Sequence, residues 1–301
     1  MKRIVLVVML LVSAGFVNAQ QMSVSNLHSI NPYLINPAFT GYLTDISGYA
    51  TIGMPLSFKG GEIRNYQAGF NKAIESKSIG VGGKLVFDQR DFFESISFSG
   101  SFAYRMAINK NHVLSFGTDV GFVNRSYDVD GLNAFVDLDD PTLSSDYYFQ
   151  SNLLLGFGLG YYSSKIEAGL SMPLVVEGGE SLNTTTHAYF GYRHFFNNNF
   201  WFVKPTVLFT YLPDQPDELM LNVMVQKNGA FFGQLGASNN QDVMVSFGIY
   251  FNEFLVSYVY RENLGNENLP FNAMNEIGIQ FQVGRSRMRF SNIGNQLNLK
   301  Q

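Results

Sequence analysis

The sequence predicts an all-β chain: a transmembrane outer-membrane β-barrel of about fourteen antiparallel strands, preceded by an irregular apolar segment. Three observations carry this reading. Large apolar and small polar residues alternate with period two over stretches of about ten residues or more, the reach that a tilted strand needs to cross a bilayer. Aromatic residues are abundant, with 28 Phe and 16 Tyr, whereas cysteine is absent. The chain also begins with the pattern of a secreted protein.

That beginning is Lys2 and Arg3, the apolar run IVLVVMLLV, and a stretch from Ser13 to Ala19 that ends in VNA. Charged region, short apolar region and small-residue cleavage signal follow in the order of a signal peptide, so residues 1–19 are expected to be removed, leaving Gln20 first. The run is shorter than the roughly 20 residues of a membrane helix. A secreted chain without cysteine excludes a disulfide framework, thiol catalysis and thiolate zinc sites. The 20 basic side chains fall to 18 without Lys2 and Arg3, against 24 acidic ones, a formal balance of −6. Nothing in that balance points to nucleic acid.

Residues 20–45 form the lead-in, and within them NPYLINPAFTGY (31–42) stands out. Two Asn-Pro pairs exclude a helix interior and a central strand, because proline lacks the backbone donor and restricts the residue before it. Yet Tyr33, Leu34, Ile35 and Phe39 make the segment too apolar for a slack linker. In a membrane protein, irregular backbone is tolerated only in water or inside protein. The segment is therefore expected to cover either the periplasmic mouth of the barrel or a partner's surface. A plug-like seal is favoured, since a lumen lined by small residues leaves room for it.

The barrel is expected over residues 46–284. In ESISFSGSFAYRMAI (94–108), Ile96, Phe98, Phe102, Tyr104, Met106 and Ile108 alternate with Ser95, Ser97, Ser99, Ser101, Ala103, Arg105 and Ala107. The same split recurs around Leu114–Phe122, Trp201–Tyr211, Val243–Phe251 and Glu276–Val283. Strands are expected to begin near residues 46, 62, 78, 93, 111, 148, 164, 185, 200, 217, 230, 241, 253 and 273. A soluble sandwich also alternates, but its second face carries charged and branched polar residues. Here the second face is dominated by Ser, Gly, Ala and Thr with scattered single charges, as in a barrel lumen.

Connection lengths test this independently, because bacterial barrels have short periplasmic turns and longer outer loops. ESKS, NKN, YSSK, FNNN, KNG and FNE, after the even-numbered strands, are all short. The long connections, Arg125–Tyr147, Glu177–Thr184, Leu212–Asp217 and Arg261–Asn275, follow odd-numbered strands. Both chain ends are then expected in the periplasm. There the tail 285–301, with Arg285, Arg287, Arg289 and Lys300 and no acid, meets either a periplasmic partner or only solvent.

Chemistry is hard to assemble from the remaining candidates. His28 precedes the first strand, His112 lies at a short turn, and His187 and His194 fall on opposite faces of one strand, so no Ser-His pair is brought together and no catalysis is expected. GFGLG at 156–160 sits inside an alternating strand with no helix after it, unlike a phosphate-binding loop. Asp137, Asp139 and Asp140 read as a solvated acidic loop, since no calcium-loop spacing surrounds them. No cofactor or metal is expected. The lumen charges Lys84, Asp88, Arg105, Asp119, Glu167, Arg193, Lys204, Arg261 and Glu276 mix both signs, which suits cross-barrel ion pairing or, alternatively, a hydrated pore.

The motifs NPYLINPAFTGY, SIGVGGKLVFDQRDFFESISFSGSFAYRMAI, LSFGTDVGFVNRSYD, the DDP of the longest loop and NEIGIQFQV resemble the PorP/SprF family of the type IX secretion and gliding machinery in the Bacteroidota. The resemblance runs in order from about residue 28 to residue 284. It departs from the family in lacking a tryptophan near Gly53–Ser57 and in carrying the basic tail. It implies a non-enzymatic outer-membrane barrel that docks periplasmic ring components and peptidoglycan-linked lipoproteins and helps secrete or retain a surface protein. The runner-up is a passive channel for small solutes. The candidate partner-binding residues are Asn31, Pro32, Asn36, Pro37, Phe39, Asp137, Asp139, Asp140, Arg285, Arg287 and Arg289.

Overall fold

A computed structural model describes residues 26–43, 45–55, 63–90, 93–109, 111–127, 149–177, 181–196, 200–212, 216–227, 229–265 and 273–284. The leader 1–19, the acidic residues Asp137, Asp139 and Asp140, and the tail 285–301 lie outside them. The alternating stretches form strand segments β1 Ile46–Pro55, β2 Ile63–Ile74, β3 Ile79–Arg90, β4 Phe93–Asn109, β5 His112–Tyr127, β6 Phe149–Ser163, β7 Ile166–Glu177, β8 Ser181–Thr184, β9 Thr186–Tyr192 and β10 His194–Phe196. They continue as β11 Trp201–Tyr211, β12 Glu218–Lys227, β13 Phe231–Ser238, β14 Asp242–Phe251, β15 Phe254–Asn263 and β16 Ala273–Val283. From β1 to β7 and from β11 to β16 each pairs antiparallel with the next, and β1 closes the ring on β16, from Ile46 opposite Val283 to Pro55 opposite Met274. Closure leaves no free edge, the condition for a sheet in lipid.

The segments β8, β9 and β10 occupy one position between β7 and β11, so the barrel has fourteen strands. Two prolines explain the breaks. On one side Leu174 faces Thr184 and Ser171 faces His187 in the same register, which sets Pro173 opposite Thr185. On the other, Thr206 faces Gly191 and Val203 faces His194, which sets Pro205 opposite Tyr192. A proline brings no N–H to the ladder, so pairing lapses at both places although the strand runs on in register. The stretch Glu177–Thr184, expected as a connection, is corrected accordingly. Ser181–Thr184 is paired with β7, and only residues 178–180 separate the two.

The period-two expectation holds on both faces. Along β4, Ser97, Ser99, Ser101, Ala103 and Arg105 are buried, while Phe98 is 61 % exposed and Tyr104 50 %. That outer band is the surface a bilayer would cover. Among the described residues no helix is long and apolar enough to cross a membrane. The strand ends that residues 75–78, 110–111, 164–165, 197–200, 228–230 and 252–253 join lie at one end, with the start of β1 and the end of β16. The end of β5 and the start of β6, on either side of the 21 residues 128–148, lie at the other.

Candidate functional site: a segment held in the lumen

Residues 26–43 lie inside the barrel. The two Asn-Pro pairs start one-turn 3-10 helices, Pro32–Leu34 and Pro37–Phe39, behind a first one at Asn26–Ser29. Proline suits the first helical position, where its missing N–H is not needed. Asn36 caps the third helix, its Oδ1 accepting from the Ala38 N–H at 2.8 Å. Further bonds stay local, including Leu34 N–H to Asn31 O at 3.1 Å, Thr40 N–H to Pro37 O at 3.0 Å and Tyr42 N–H to Phe39 O at 3.0 Å. A segment that satisfies so much of its own backbone needs no sheet partner, so it can fill a lumen whose wall strands are already paired with one another.

The wall is shaped for it on the β3–β7 side. Backbone of Thr40 occupies the place a Cβ on Gly80 would take, and backbone of Pro37 and Ala38 does so at Gly117. The Asn36 Nδ2 donates to Leu159 O at 3.1 Å and to Leu170 O at 3.0 Å, bridging β6 and β7. Ser171 Oγ donates to Ile35 O at 2.6 Å. Here glycine serves close approach of backbone to backbone.

The β12–β15 side is different, and the small-residue picture of the lumen is corrected there. Met224, Phe232, Met244, Leu255 and Val259 point inward and form one apolar cluster with Leu27 and Ile30. A second cluster gathers Tyr33, Ile35, Phe39, Tyr42 and Leu43 against Tyr49, Tyr162, Tyr189, Leu208 and Met220. One cavity between the segment and the β1, β15 and β16 wall measures about 10 Å³, room for about one water.

Charged side chains latch the segment at several heights. Glu167, 0 % exposed, is ion-paired with Arg193 and with Lys204 at 2.6 Å, and it accepts from the hydroxyls of Tyr42 and, at 3.0 Å, Tyr189. Lys204 also donates to Ser29 O at 2.6 Å. Lys84 pairs with Asp119 at 2.8 Å and lies 4.6 Å from the centre of the Tyr33 ring, whose hydroxyl meets Ser101 Oγ at 2.8 Å. Arg105 donates to Gly41 O at 3.0 Å and pairs with Glu75 at 3.1 Å. Arg261 pairs with Glu218 at 2.5 Å and Asp242 at 2.6 Å and donates to Asn26 Oδ1 at 3.2 Å, while the Asn26 N–H donates to Glu276 at 3.0 Å. Asp88 pairs with Arg90 at 3.1 Å. The mixed lumen charges are thus largely joined in ion pairs, as buried charges require.

The predicted residues divide in two. Asn31, Pro32, Asn36, Pro37 and Phe39 are buried against the chain's own barrel; Asp137, Asp139, Asp140, Arg285, Arg287 and Arg289 lie outside the described residues. Tyr42 and Tyr189, which the sequence reading did not single out, complete the Glu167 cluster. Among the histidines, His187 faces the lumen, 3.2 Å from Thr210 Oγ1, and His194 faces outward. The His112 Nδ1 meets the Tyr161 hydroxyl at 2.5 Å beside a short turn. No group of three metal-ligating side chains gathers among the described residues.

Among solved structures, the chain is similar to the CymD monoaromatic hydrocarbon channel, with 10 % identity, 89 % of this chain and 95 % of that one covered, and a TM-score of 0.49. It is similar to the P. putida toluene transporter TodX, with 10 % identity, 87 % and 95 % covered and a TM-score of 0.48. It is also similar to CdiB from Acinetobacter baumannii, with 9 % identity, 79 % and 60 % covered and a TM-score of 0.47. No curated protein matches the chain. The family model described as type IX secretion system membrane protein PorP/SprF matches residues 17–281, nearly the whole barrel and its luminal segment, and the chain belongs to that family.

Proposed function

We propose that this chain is a non-enzymatic outer-membrane component of the type IX secretion machinery that docks periplasmic ring components and lipoproteins at its short-turn end and helps secrete or retain a cell-surface protein. The observation that carries this reading is the occupied lumen. Residues 26–43 are latched to the wall by Glu167, Lys84, Arg105 and Arg261, so the barrel offers surfaces rather than a through-path, which suits a docking part better than a passive channel. Family membership supplies the machinery, and the scattered histidines supply no catalytic constellation. Specificity for the secreted protein is assigned to the long connections, where sequence is free to vary on a rigid scaffold.

Co-purification from native membranes, read by mass spectrometry, tests the proposal. Periplasmic lipoproteins and one secreted surface protein are expected with the full chain. Deleting residues 286–301 should weaken capture of the periplasmic set and leave the barrel folded; unchanged capture removes the tail from the docking surface. Large, persistent single-channel steps from the full chain in planar bilayers would overturn the docking reading in favour of a channel.

A further inference from the structure

The luminal segment has a direction. Asn26 is held by Arg261 and Glu276, and Arg261 in turn holds Glu218 and Asp242, the first residues of β12 and β14. Both strands begin at the end of the barrel that carries the long connections. Ser29 meets Gln234 at 2.5 Å, nearer the middle. Gly41 and Tyr42 then meet Arg105, Glu167 and Arg193, all close to the short turns, and Ala73 N–H donates to Asp45 O at 2.9 Å just before β1. Read in chain order, the segment enters at the long-connection mouth and leaves at the short-turn mouth.

We propose that the amino terminus of the processed chain is displayed at the long-connection mouth, across the membrane from the end of β16. Cleavage after Ala19 leaves six residues before Asn26, which span at most about 20 Å when extended. To end on the short-turn side they would have to run back down a barrel whose apolar band alone is about 25 Å tall. Residues 27–43 already occupy that route, packed against the wall from Leu27 and Ile30 to Tyr42 and Leu43. The proposal departs from the expectation of two periplasmic termini. A new α-amino group then stands among the outer loops, within reach of whatever protein those loops hold. The assignment to the cell surface rests on the outward orientation of the long connections; the threading itself does not.

An epitope inserted between Gln21 and Met22 tests this in cells carrying the full chain, with the same epitope placed within residues 128–148 and within the turn 75–78 as references. Antibody labelling of the amino-terminal epitope is expected to be equal in intact and permeabilised cells, like that at 128–148, and to be lost in intact cells at 75–78. Grouping of the amino-terminal epitope with 75–78 overturns the threading. If the two references exchange behaviour while the amino-terminal epitope still follows 128–148, the orientation falls and the threading stands. Should the insertion block folding, Asn26→Cys in this cysteine-free chain replaces it, read with a membrane-impermeant maleimide; protection of that thiol in intact cells, with reaction after permeabilisation, overturns the proposal.

Discussion

Replacing Glu167 by Gln removes the one carboxylate that Arg193 and Lys204 share. Arg193 and Lys204 are each 2 % exposed and Glu167 is 0 % exposed, so neither cation can regain water without the luminal segment moving. Breaking a buried pair by removing one partner costs about 3–5 kcal/mol, because a charge is left uncompensated. The amide keeps the volume and can still accept from Tyr42 or Tyr189, which places the effect on charge and not on packing. Tyr42 and the Ser29 carbonyl that Lys204 holds belong to the luminal segment, so the destabilisation acts on its attachment.

At about 1.4 kcal/mol per factor of ten, 3–5 kcal/mol raises the population with the segment detached by about 10² to 10³·⁵. Ser29→Cys reports it. The site is 0 % exposed, the replacement is nearly isosteric, and the chain has no other cysteine, so a maleimide reacts only after detachment. Its rate in the purified barrel is expected to rise by that factor when Glu167→Gln is added, with the heat-modifiable gel mobility of a closed barrel unchanged. A rise of less than about threefold, below the 0.7 kcal/mol that such a ratio represents, would refute the view that this cluster latches the segment.

The remaining predictions address packing and pairing. Gly117→Ala should destabilise the segment by about 1–3 kcal/mol through overpacking, because its Cβ would fall on the Pro37–Ala38 backbone, whereas Gly233→Ala, with nothing within 4 Å, should be near neutral; the Ser29→Cys labelling rate compares them. A Cβ on Gly160 would lie 3.1 Å from the Ala38 Cβ, so a shift of a few tenths of an ångström brings the two into the roughly 3.5–4.5 Å of a disulfide. The pair Ala38→Cys and Gly160→Cys should therefore oxidise readily to an intramolecular link, seen by mass spectrometry; failure to form it would place the segment elsewhere. Pro205→Val restores a ladder donor opposite Tyr192. One net hydrogen bond of about 0.5–1.5 kcal/mol should slow hydrogen exchange within residues 186–196 by about two- to tenfold, and unchanged exchange would show that the proline is not what breaks the strand.

The strands were legible because one physical rule, alternation across a sheet with lipid on one side, acts on every residue of a barrel wall. Ile96, Phe98 and Phe102 against Ser97, Ser99 and Ser101 fix both the strand and its facing. What escaped is what a second element imposes from inside. Met224, Phe232, Met244, Leu255 and Val259 sit on inward positions by the same alternation, but it is Leu27, Ile30 and Leu34 of the luminal segment that pack against them from inside. The strand Ser181–Phe196 is expected to start near residue 185 because Glu177–Thr184 lacks a clear alternation; its first residues are strand because they pair with β7, a partner the local pattern does not show. The Asn-Pro pairs announced a stiff, apolar, non-sheet segment; that it satisfies its own backbone in three short turns depends on capping by Asn36, a detail of geometry.

The two-sided lumen also bears on what the segment is for. A water-filled pore needs polar lining all round, yet an empty version of this barrel would face water with Met224, Phe232, Met244 and Leu255 on one wall and an excess of cations around Glu167 on the other. Both features become favourable only when residues 26–43 are in place: Leu27 and Ile30 cover the first, while Tyr42 and the Ser29 carbonyl complete the second. Wall and segment are complementary on chemically unrelated grounds, apolar on one side and charged on the other. A segment destined to vacate the lumen would be expected to leave behind a wall that tolerates water; this wall does not, which makes the segment part of the barrel's core.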